Sequence, residues 1–281
     1  MKSKLETYKS HPLSLAFYIA VCMGVVITIG ILFAVVIFVL IRGVPNLTPE
    51  LFSLKYTTDN CSMLPAMVTT VEMVAISLVI AVPLGVFCAI YLVEYAGKGN
   101  RLVKLIRITT ETLSGIPSIV YGLFGMLLFV RALGWGYSVL AGSFTAAIMI
   151  LPLIIRSTEE ALRAVDDSYR EGSFGLGAGK LRTVFVIVLP SAMNGILAGI
   201  ILAIGRVIGE TAALMYTAGT VADYPKSVMN SSRTLALHMY SLSREGLHMK
   251  QAAATAVVLL IVVLLLNTLA SLIAKKLKSK S

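Results

Sequence analysis

The sequence predicts an all-α membrane protein with six transmembrane helices. The chain of 281 residues is 57% hydrophobic and only 14% charged, and its mean hydropathy is +0.88. Soluble domains carry about 25% charged residues. Here the charges are gathered between long apolar runs, and about 20 apolar residues suffice for a helix to cross the hydrocarbon core. These two observations indicate one polytopic membrane domain with short loops.

Six apolar runs give the order of the predicted elements. We expect transmembrane helices at residues 15–41, 68–93, 112–133, 137–155, 186–216 and 252–274. Residues 1–14 and 275–281 are short basic tails, and 66–274 should form the main membrane domain. The second helix contains Pro83, where we expect a kink. A long polar segment, 156–182, separates the fourth helix from the fifth.

Lysine and arginine are distributed unevenly between the two sides of the predicted bundle. Sixteen lie in the two tails, in the connection after the second helix and in segment 156–182, whereas seven lie in the other loops. Positive residues favour the cytoplasmic side. Both termini and segment 156–182 are therefore predicted to be cytoplasmic. The same clustering argues against a nucleic-acid partner, although the net charge is +10.

Several classes of function lack their motifs in this chain. We find no G-x-S-x-G, no H-E-x-x-H, no paired acids within an apolar run and no Walker A glycine loop. The three cysteines show no metal-binding spacing. The sequence therefore predicts no catalytic residues, no metal and no cofactor bound by this chain. An intramembrane enzyme is a remote alternative.

Segment 156–182 contains a short helix bounded at both ends. Ser168 and Glu171 have the spacing of a capping box, in which the serine accepts from the N–H of the glutamate. Gly177 and Gly179 can supply the left-handed conformation that ends a helix. We therefore expect a helix over residues 169–176, which is too short to be stable without a supporting surface. It could rest on its own protein or dock onto a partner.

The fifth predicted helix contains two charged residues within an apolar run. Arg206 and Glu210 are four residues apart, a spacing that places them on one helix face. An arginine at the bilayer centre costs about 2.5–3.5 kcal/mol on insertion scales, so it should face a cavity or the bundle interior. The pair could bind an anion with the guanidinium, or it could neutralise itself as a structural ion pair.

Two further features could line a path through the membrane. The third helix is interrupted at Gly115-Ile116-Pro117-Ser118, where freed backbone N–H groups and the Ser118 hydroxyl would suit an anion. A plain proline kink explains this break equally well. Arg156 and Glu159 are predicted to close the fourth helix at the cytoplasmic edge, either as an inner gate or as a solvated helix end.

Four motifs resemble those of permeases of binding-protein-dependent ABC importers. The segment from Glu171 to Pro190 is similar to the cytoplasmic signature E-A-A-x3-G-x9-I-x-L-P, with Gly172 and Ser173 in place of the two alanines. Three stretches resemble those of phosphate-specific permeases of the PstA type: R-V-I-G-E-T-A-A-L from Arg206, G-I-P-S-I-V-Y-G-L-F from residue 115, and A-I-Y-L-V-E-Y-A from residue 89. The family usually has proline where this chain has Ala213.

The resemblance implies a type I ABC importer permease fold with a cytoplasmic coupling helix. It assigns Arg206, Arg156 and Glu159 to phosphate movement, and the path would also include Glu210 and Ser118. Contact with an ATPase is implied for the signature segment, with Ser168, Arg170, Glu171, Gly172, Ser173, Gly177 and Pro190.

The same resemblance implies the partners. They would be a PstC-like permease as heterodimer partner, a PstB-like ATPase dimer that uses ATP, and a PstS-like phosphate-binding protein outside the bacterial plasma membrane. The chain itself would be a non-catalytic subunit in the lipid bilayer. A permease of the same family for another oxyanion or small solute is the main alternative.

Overall fold

The computed structural model describes residues 12–97, 99–246 and 248–278, and no strand occurs among them. Residues 1–11 and 279–281 of the two predicted tails lie outside this part. The helices are α1 (Pro12–Gly43), α2 (Leu64–Tyr95), α3 (Arg101–Ser114), α4 (Ser118–Ala132), α5 (Val139–Arg163), α6 (Asp167–Gly175), α7 (Lys180–Ile208), α8 (Ala212–Met215), α9 (Leu235–Glu245) and α10 (Met249–Lys278).

The membrane-crossing helices agree with the predicted fold class. In the described residues, α1, α2, α5, α7 and α10 are each long and apolar enough to span a bilayer, and α3 with α4 makes a sixth span if the bent pair is counted as one. The helix α2 continues through Pro83 and ends in a wide π turn, Tyr91–Tyr95. The helix α5 runs to Arg163, two turns beyond the predicted end.

The bundle core lies between α2, α5 and α7. Met73, Ile150, Ile154 and Val207 are fully buried there, since none exposes more than 2% of its surface. Small residues allow the close approach of α7 to α5, because Gly195 faces Ala161 and Gly199 faces Ser157. A methyl group at either glycine would clash with these side chains, which fits the packing role of G-x-x-x-G pairs. By contrast, α1 exposes its apolar surface on almost all sides.

The predicted third helix is two helices. Residues 112–133 begin in the last turn of α3 and continue as α4 after the break at residues 115–117, and the axes of the two helices meet at 106°. Two local features explain the bend: α3 ends at Gly115, and Pro117 restricts the residue before it to extended conformations. With three basic residues and Glu111 on 14 residues, α3 is amphipathic, so the apolar length of the sixth candidate span comes mainly from α4.

The predicted polar loop before the last span contains a packed helix. In α9, Leu235 and Leu242 are buried against Leu51, Cys61 and Met63 from the connection between α1 and α2. This region closes the end of the bundle away from α6. Hydrophobic periodicity over a short stretch such as α9 gives too weak a signal for sequence analysis to separate it from a loop.

Candidate functional site

Arg206 lies in the last turn of α7 with its side chain exposed. Among the residues that the structure describes, it has no ion pair within 4.0 Å. A guanidinium on an apolar span is costly unless it finds a partner or a polar cavity. Arg206 therefore presents an unsatisfied charge on a surface that this chain leaves open. Gly205 beside it also faces open space.

Glu210 does not pair with Arg206, so the structural ion pair, one of the two alternatives that the sequence left open, is not formed, and the expected placement of both residues on one helix face is wrong. The chain leaves α7 at Gly209, and Glu210 lies in the short break before α8. Its Oε1 accepts hydrogen bonds from the N–H groups of Thr211 at 3.2 Å and Ala213 at 3.0 Å. The buried carboxylate thus satisfies the first N–H groups of α8, where negative charge is favoured.

The two helix breaks lie side by side. The half-buried Ser118 begins α4, and one turn later the Tyr121 hydroxyl donates to the carbonyl of Leu113 at 2.8 Å. Gly122 approaches the backbone of Ala213 so closely that a Cβ would lie 2.7 Å from its Cα. Tyr121 also belongs to the same buried cluster as Val207, the residue that follows Arg206. The structure therefore packs α4, which Ser118 begins, against α8, which Glu210 caps, and Arg206 lies in the last turn of the helix before that cap.

Arg156 and Glu159 are not paired with each other. Arg156 bonds to Glu160 at 3.0 Å, and both side chains are largely exposed. Glu159 is nearly buried and accepts on Oε1 from Arg107 of α3 at 2.8 Å and from Arg163 at 2.7 Å. Sequence analysis missed both partners. The i,i+4 spacing of Glu159 and Arg163 could have indicated one of them, but no local signal connects Arg107.

These charged groups surround a cavity at one end of the bundle. It has a volume of about 210 Å³ and is lined by Arg107, Thr110, Glu111, Ser114, Ile155, Arg156, Glu159, Glu160 and Arg163. The Nε of Arg107 is buried there without a hydrogen-bond partner among the described residues. A cavity of mixed charge, in which the Nε–H of Arg107 is free to donate, can accept a small anion. Alternatively, the ion pair of Glu159 with Arg107 serves only to hold α3 against α5.

The short helix α6 exists, but its N-terminus differs from the prediction. The N-cap is Asp166, whose Oδ1 accepts from the N–H of Ser168 at 2.8 Å, so Ser168 is not the cap of a box with Glu171. Hydrogen bonds from the Ser168 hydroxyl and N–H lower the pKa of Asp166. Aspartate and serine are both good caps, so sequence alone could not choose between them.

The predicted end of α6 is confirmed at one glycine only. Gly177 adopts φ +81°, the left-handed conformation that terminates a helix. Gly179 has φ −74° and instead precedes the first residue of α7. Pro190 begins the regular part of α7 after a π-helical stretch, Thr183–Val188. The glycines therefore bound the turn between α6 and α7.

The residues of the signature segment face different ways. Glu171 and Gly172 are exposed, and a Cβ on Gly172 would meet nothing within 4 Å, so alanine would fit there. Ser173 is buried, and its hydroxyl lies 2.8 Å from that of Thr183. Arg170 points inward to Glu94. One face of α6 therefore packs on its own protein, while Tyr169, Phe174 and Leu176 are exposed.

Comparison with known proteins identifies relatives that are all membrane transport components. Residues 81–280 match the family described as binding-protein-dependent transport system inner membrane component. The chain is 34% identical over 230 residues to the probable ABC transporter permease protein YqgI of Bacillus subtilis, which covers 75% of this chain and 76% of that protein. It is 36% identical over 203 residues to the phosphate transport system permease protein PstA of Pasteurella multocida, with 72% and 70% covered.

A third relative supports the same assignment, and two solved structures match the fold. PstA of Mycobacterium leprae is 44% identical over 147 residues, although this alignment covers only 51% of this chain and 47% of that protein. A bacterial alginate ABC transporter matches the fold with a TM-score of 0.69 at 13% identity, covering 96% of this chain and 98% of that chain. For the MetNI methionine ABC transporter the TM-score is 0.59 at 18% identity, with 75% and 92% covered.

These matches confirm the predicted type I ABC importer permease fold, the multi-pass membrane location and the assignment as a transport subunit rather than an enzyme. The family description implies that the subunit works with a substrate-binding protein and an ATPase. The chain belongs to the family of inner membrane components of binding-protein-dependent transport systems.

Proposed function

We propose that this chain is the PstA-type half of a pore that imports inorganic phosphate. Its partners are a PstC-like permease in the membrane, a PstB-like ATPase dimer in the cytoplasm and a PstS-like phosphate-binding protein outside. ATP is used by the ATPase subunits, and this chain binds no cofactor. Both termini and α6 lie in the cytoplasm, in keeping with the sixteen basic residues on that side.

The observation that carries the proposal is the exposed guanidinium of Arg206 on a membrane span, which has no ion pair among the described residues. A phosphate ion must cross about 30 Å of hydrocarbon, and a fixed cation lowers that barrier. The guanidinium offers a planar fork of donors that matches phosphate oxygens. Since the described residues leave the guanidinium of Arg206 open, the partner permease can face it. The two subunits would then form one site that binds phosphate weakly and releases it.

Two relatives support phosphate as the substrate. They are named phosphate transport permeases and share 36% and 44% identity with this chain over the aligned residues. Within the chain, Ser118 begins α4, and the buried Glu210 follows the end of α7, four residues after the arginine. Ser118 adds a hydroxyl donor at the start of α4, while Glu210 keeps the start of α8 in place. These residues form the membrane part of the pathway.

The other end of the pathway is the cavity beside Arg156 and Glu159. Its lining residues Glu159 and Arg163 lie at the end of α5 that leads to α6, so under the proposed orientation the cavity is the cytoplasmic exit. Its arginines can receive an anion, and its glutamates prevent the ion from being held too strongly. A pore must bind an ion well enough for entry and weakly enough for exit.

The coupling surface is the exposed side of α6. Tyr169, Phe174 and Leu176 expose 56%, 47% and 92% of their surface. Apolar side chains at such exposure on a short polar helix favour a partner groove, since a helix inserted in a groove buries one apolar face. We assign this groove to the ATPase, with Glu171 and Gly172 beside it.

Uptake of labelled inorganic phosphate into vesicles containing the complete, purified complex tests the proposal. Arg206→Gln should reduce uptake to background while the complex still assembles, and Arg206→Lys should impair it because a point charge cannot replace the fork. Arg131 provides a matched control, because it is also exposed near the end of a membrane span, and Arg131→Gln should retain uptake.

Two results would contradict the proposal. Near-normal phosphate uptake by Arg206→Gln would make the arginine structural. Uptake of another oxyanion, such as sulfate, in preference to phosphate would favour the alternative substrate within the same family.

A further inference from the structure

Arg170 is the most highly connected side chain of α6. Its Nε and Nη2 donate to Oε1 of Glu94 at 3.1 and 2.7 Å. Its Nη2 and Nη1 also donate to the carbonyls of Leu162 at 2.9 Å and Val165 at 2.8 Å. These partners lie at the end of α2 and at the end of α5. One side chain therefore ties α6 to the ends of two membrane spans.

The ion pair between Arg170 and Glu94 is shielded from solvent. The side chains expose only 15% and 8% of their surface, whereas exposed pairs in this chain, such as Arg156 with Glu160, expose 65% and 67%. A shielded pair is screened little by salt and holds its geometry better than an exposed one. The pair can therefore act as a firm attachment.

Tyr95, the residue next to Glu94, contacts the chain on the other side of the turn that follows α6. Tyr95 places its ring under the ammonium group of Lys180, with Nζ 5.1 Å from the ring centroid. Lys180 is the first residue of α7, directly after the turn that follows α6. A cation over an aromatic face at this distance is attracted by the ring. Adjacent residues at the end of α2 thus contact both sides of the α6 turn.

The local structure of α2 explains how neighbouring residues reach two targets. The end of α2 is a π turn in which the N–H of Ala96 donates to the carbonyl of Tyr91 at 2.9 Å. A π turn widens the helix and changes the direction of the side chains that follow, and such turns are frequent at functional sites. The motif A-I-Y-L-V-E-Y-A, which resembles that of phosphate permeases, contains both residues.

We propose that Glu94 and Tyr95, with Arg170 and Lys180, form a joint that makes α6 move as one body with the ends of α2 and α5. Glu94 and Tyr95 are positioning residues that touch neither substrate nor nucleotide. A push on α6 is then transmitted to the spans that line the core, rather than being lost in a flexible loop. This inference rests on the proposed function, because it needs an ATPase beneath α6.

Limited proteolysis of the purified chain in detergent tests the joint without partner or substrate. Trypsin cuts after Lys180 and Arg182, both of which are exposed. We expect Glu94→Gln to raise the cleavage rate there about fivefold or more, because local opening controls proteolysis. Asp167→Asn is the matched control: Asp167 contacts the same guanidinium at 3.1 Å but is 85% exposed, so its loss should change little.

The functional arm measures ATP hydrolysed per phosphate ion imported by the complete complex in vesicles. Glu94→Gln should raise this ratio about fivefold or more, the lower end of typical coupling between two sites, while Asp167→Asn leaves it unchanged. A purely structural defect would lower hydrolysis and uptake in proportion and keep the ratio constant. Tyr95→Leu, at a side chain that is 42% exposed, should raise the ratio less without endangering folding.

The results separate a failure of the proposed joint from a failure of the proposed phosphate import. Wild-type cleavage rates and ratios in both Glu94→Gln and Tyr95→Leu would overturn the joint, as would an equal change in Asp167→Asn. If Glu94→Gln does not assemble, an unchanged ratio in Tyr95→Leu overturns it. A wild-type complex that hydrolyses ATP but imports no phosphate would contradict the proposed substrate, while faster cleavage of Glu94→Gln would still support the joint.

Discussion

Arg170, beside the cytoplasmic helix α6, and Arg206, near the end of α7, show how differently one fold can treat the same side chain. Arg170 finds a carboxylate and two helix-end carbonyls within its own chain and is mostly buried. Arg206 finds no ion pair among the described residues and stays exposed. A satisfied arginine fixes parts of one subunit together. An unsatisfied one in a membrane span indicates a surface that another molecule completes.

The comparison also separates what each region contributes. The contacts that hold α6 to the ends of α2 and α5 all come from one chain. A displacement of α6 by a partner can therefore be transmitted to these two helices directly. The region around Arg206 is half a site, and its properties depend on the subunit opposite.

Removing each arginine should affect the stability of the isolated chain very differently. Arg170→Ala leaves the buried Glu94 unpaired, and breaking such a pair by removing one partner costs about 3–5 kcal/mol. Arg206→Ala should change stability by less than about 0.5 kcal/mol, as for other exposed sites. Thermal unfolding of the detergent-purified variants measures both. Equal losses in the two variants would remove the contrast between the regions.

The turn after α6 offers a second contrast, between two glycines of the signature segment. Gly177 has φ +81°, and a side chain in the left-handed region costs about 1–2 kcal/mol, so Gly177→Ala should destabilise the chain. Gly172 is helical with open space around it, so Gly172→Ala should stabilise α6 by up to about 1 kcal/mol. Unfolding of both variants in one detergent provides the measurement. A stabilised Gly177→Ala variant would show that the turn adapts.

Sequence analysis succeeded where the determining interactions are local. The helix α6 and its stop at Gly177 follow from a cap, a glycine and a spacing, all within a dozen residues. The transmembrane runs follow from composition alone. The cap itself was misplaced because Asp166 and Ser168 are equally good candidates, and Asp166 comes first in the chain.

The failures come from helix ends and from long-range contacts. The expected placement of Arg206 and Glu210 on one helix face assumed an unbroken helix, but α7 ends at Ile208 and the acid caps α8 instead. Glu94 and Arg170 are 76 residues apart in sequence, and no local pattern predicts their contact. The same holds for Arg107 and Glu159. Such pairs form only when whole helices pack together, and local patterns in a single sequence do not predict that packing.

A third arginine, Arg233, resembles Arg170 in being buried and Arg206 in having no ion pair among the described residues. Its charge affects a nearby histidine. Its guanidinium lies 5.1 Å from the ring centroid of Tyr56, buried without an ion pair among the described residues. Burial, together with the charge of Arg233, lowers the pKa of His238 to about 3, although a hydrogen bond with the Cys61 carbonyl opposes this shift. His238 is therefore neutral in the folded protein at neutral pH.

Acidification should destabilise the end of the bundle that contains α9. Between pH 6.5 and about 3, the unfolded chain binds a proton at His238 that the folded chain does not, so stability falls as the pH falls. The expected loss is about 1 kcal/mol for each pH unit below 6.5. Unfolding of wild type and His238→Gln between pH 7 and 5 measures it, and the variant should show a smaller slope. Equal slopes would mean that His238 is not buried as a neutral group.

The smallest expected effect concerns Glu210, which tests whether the region around Arg206 depends on local capping or on charge. The carboxylate accepts two N–H groups at the start of α8, and an amide oxygen in Glu210→Gln can still accept them. The variant loses only the attraction between a negative charge and the helix N-terminus, about 0.3–1 kcal/mol. Phosphate uptake should therefore fall much less than in Arg206→Gln.

The control is Glu210→Ala, which removes both hydrogen bonds and should destabilise α8 more. If Glu210→Gln instead abolished uptake while unfolding as the wild type does, the negative charge itself would take part in transport, and Arg206 would not act alone.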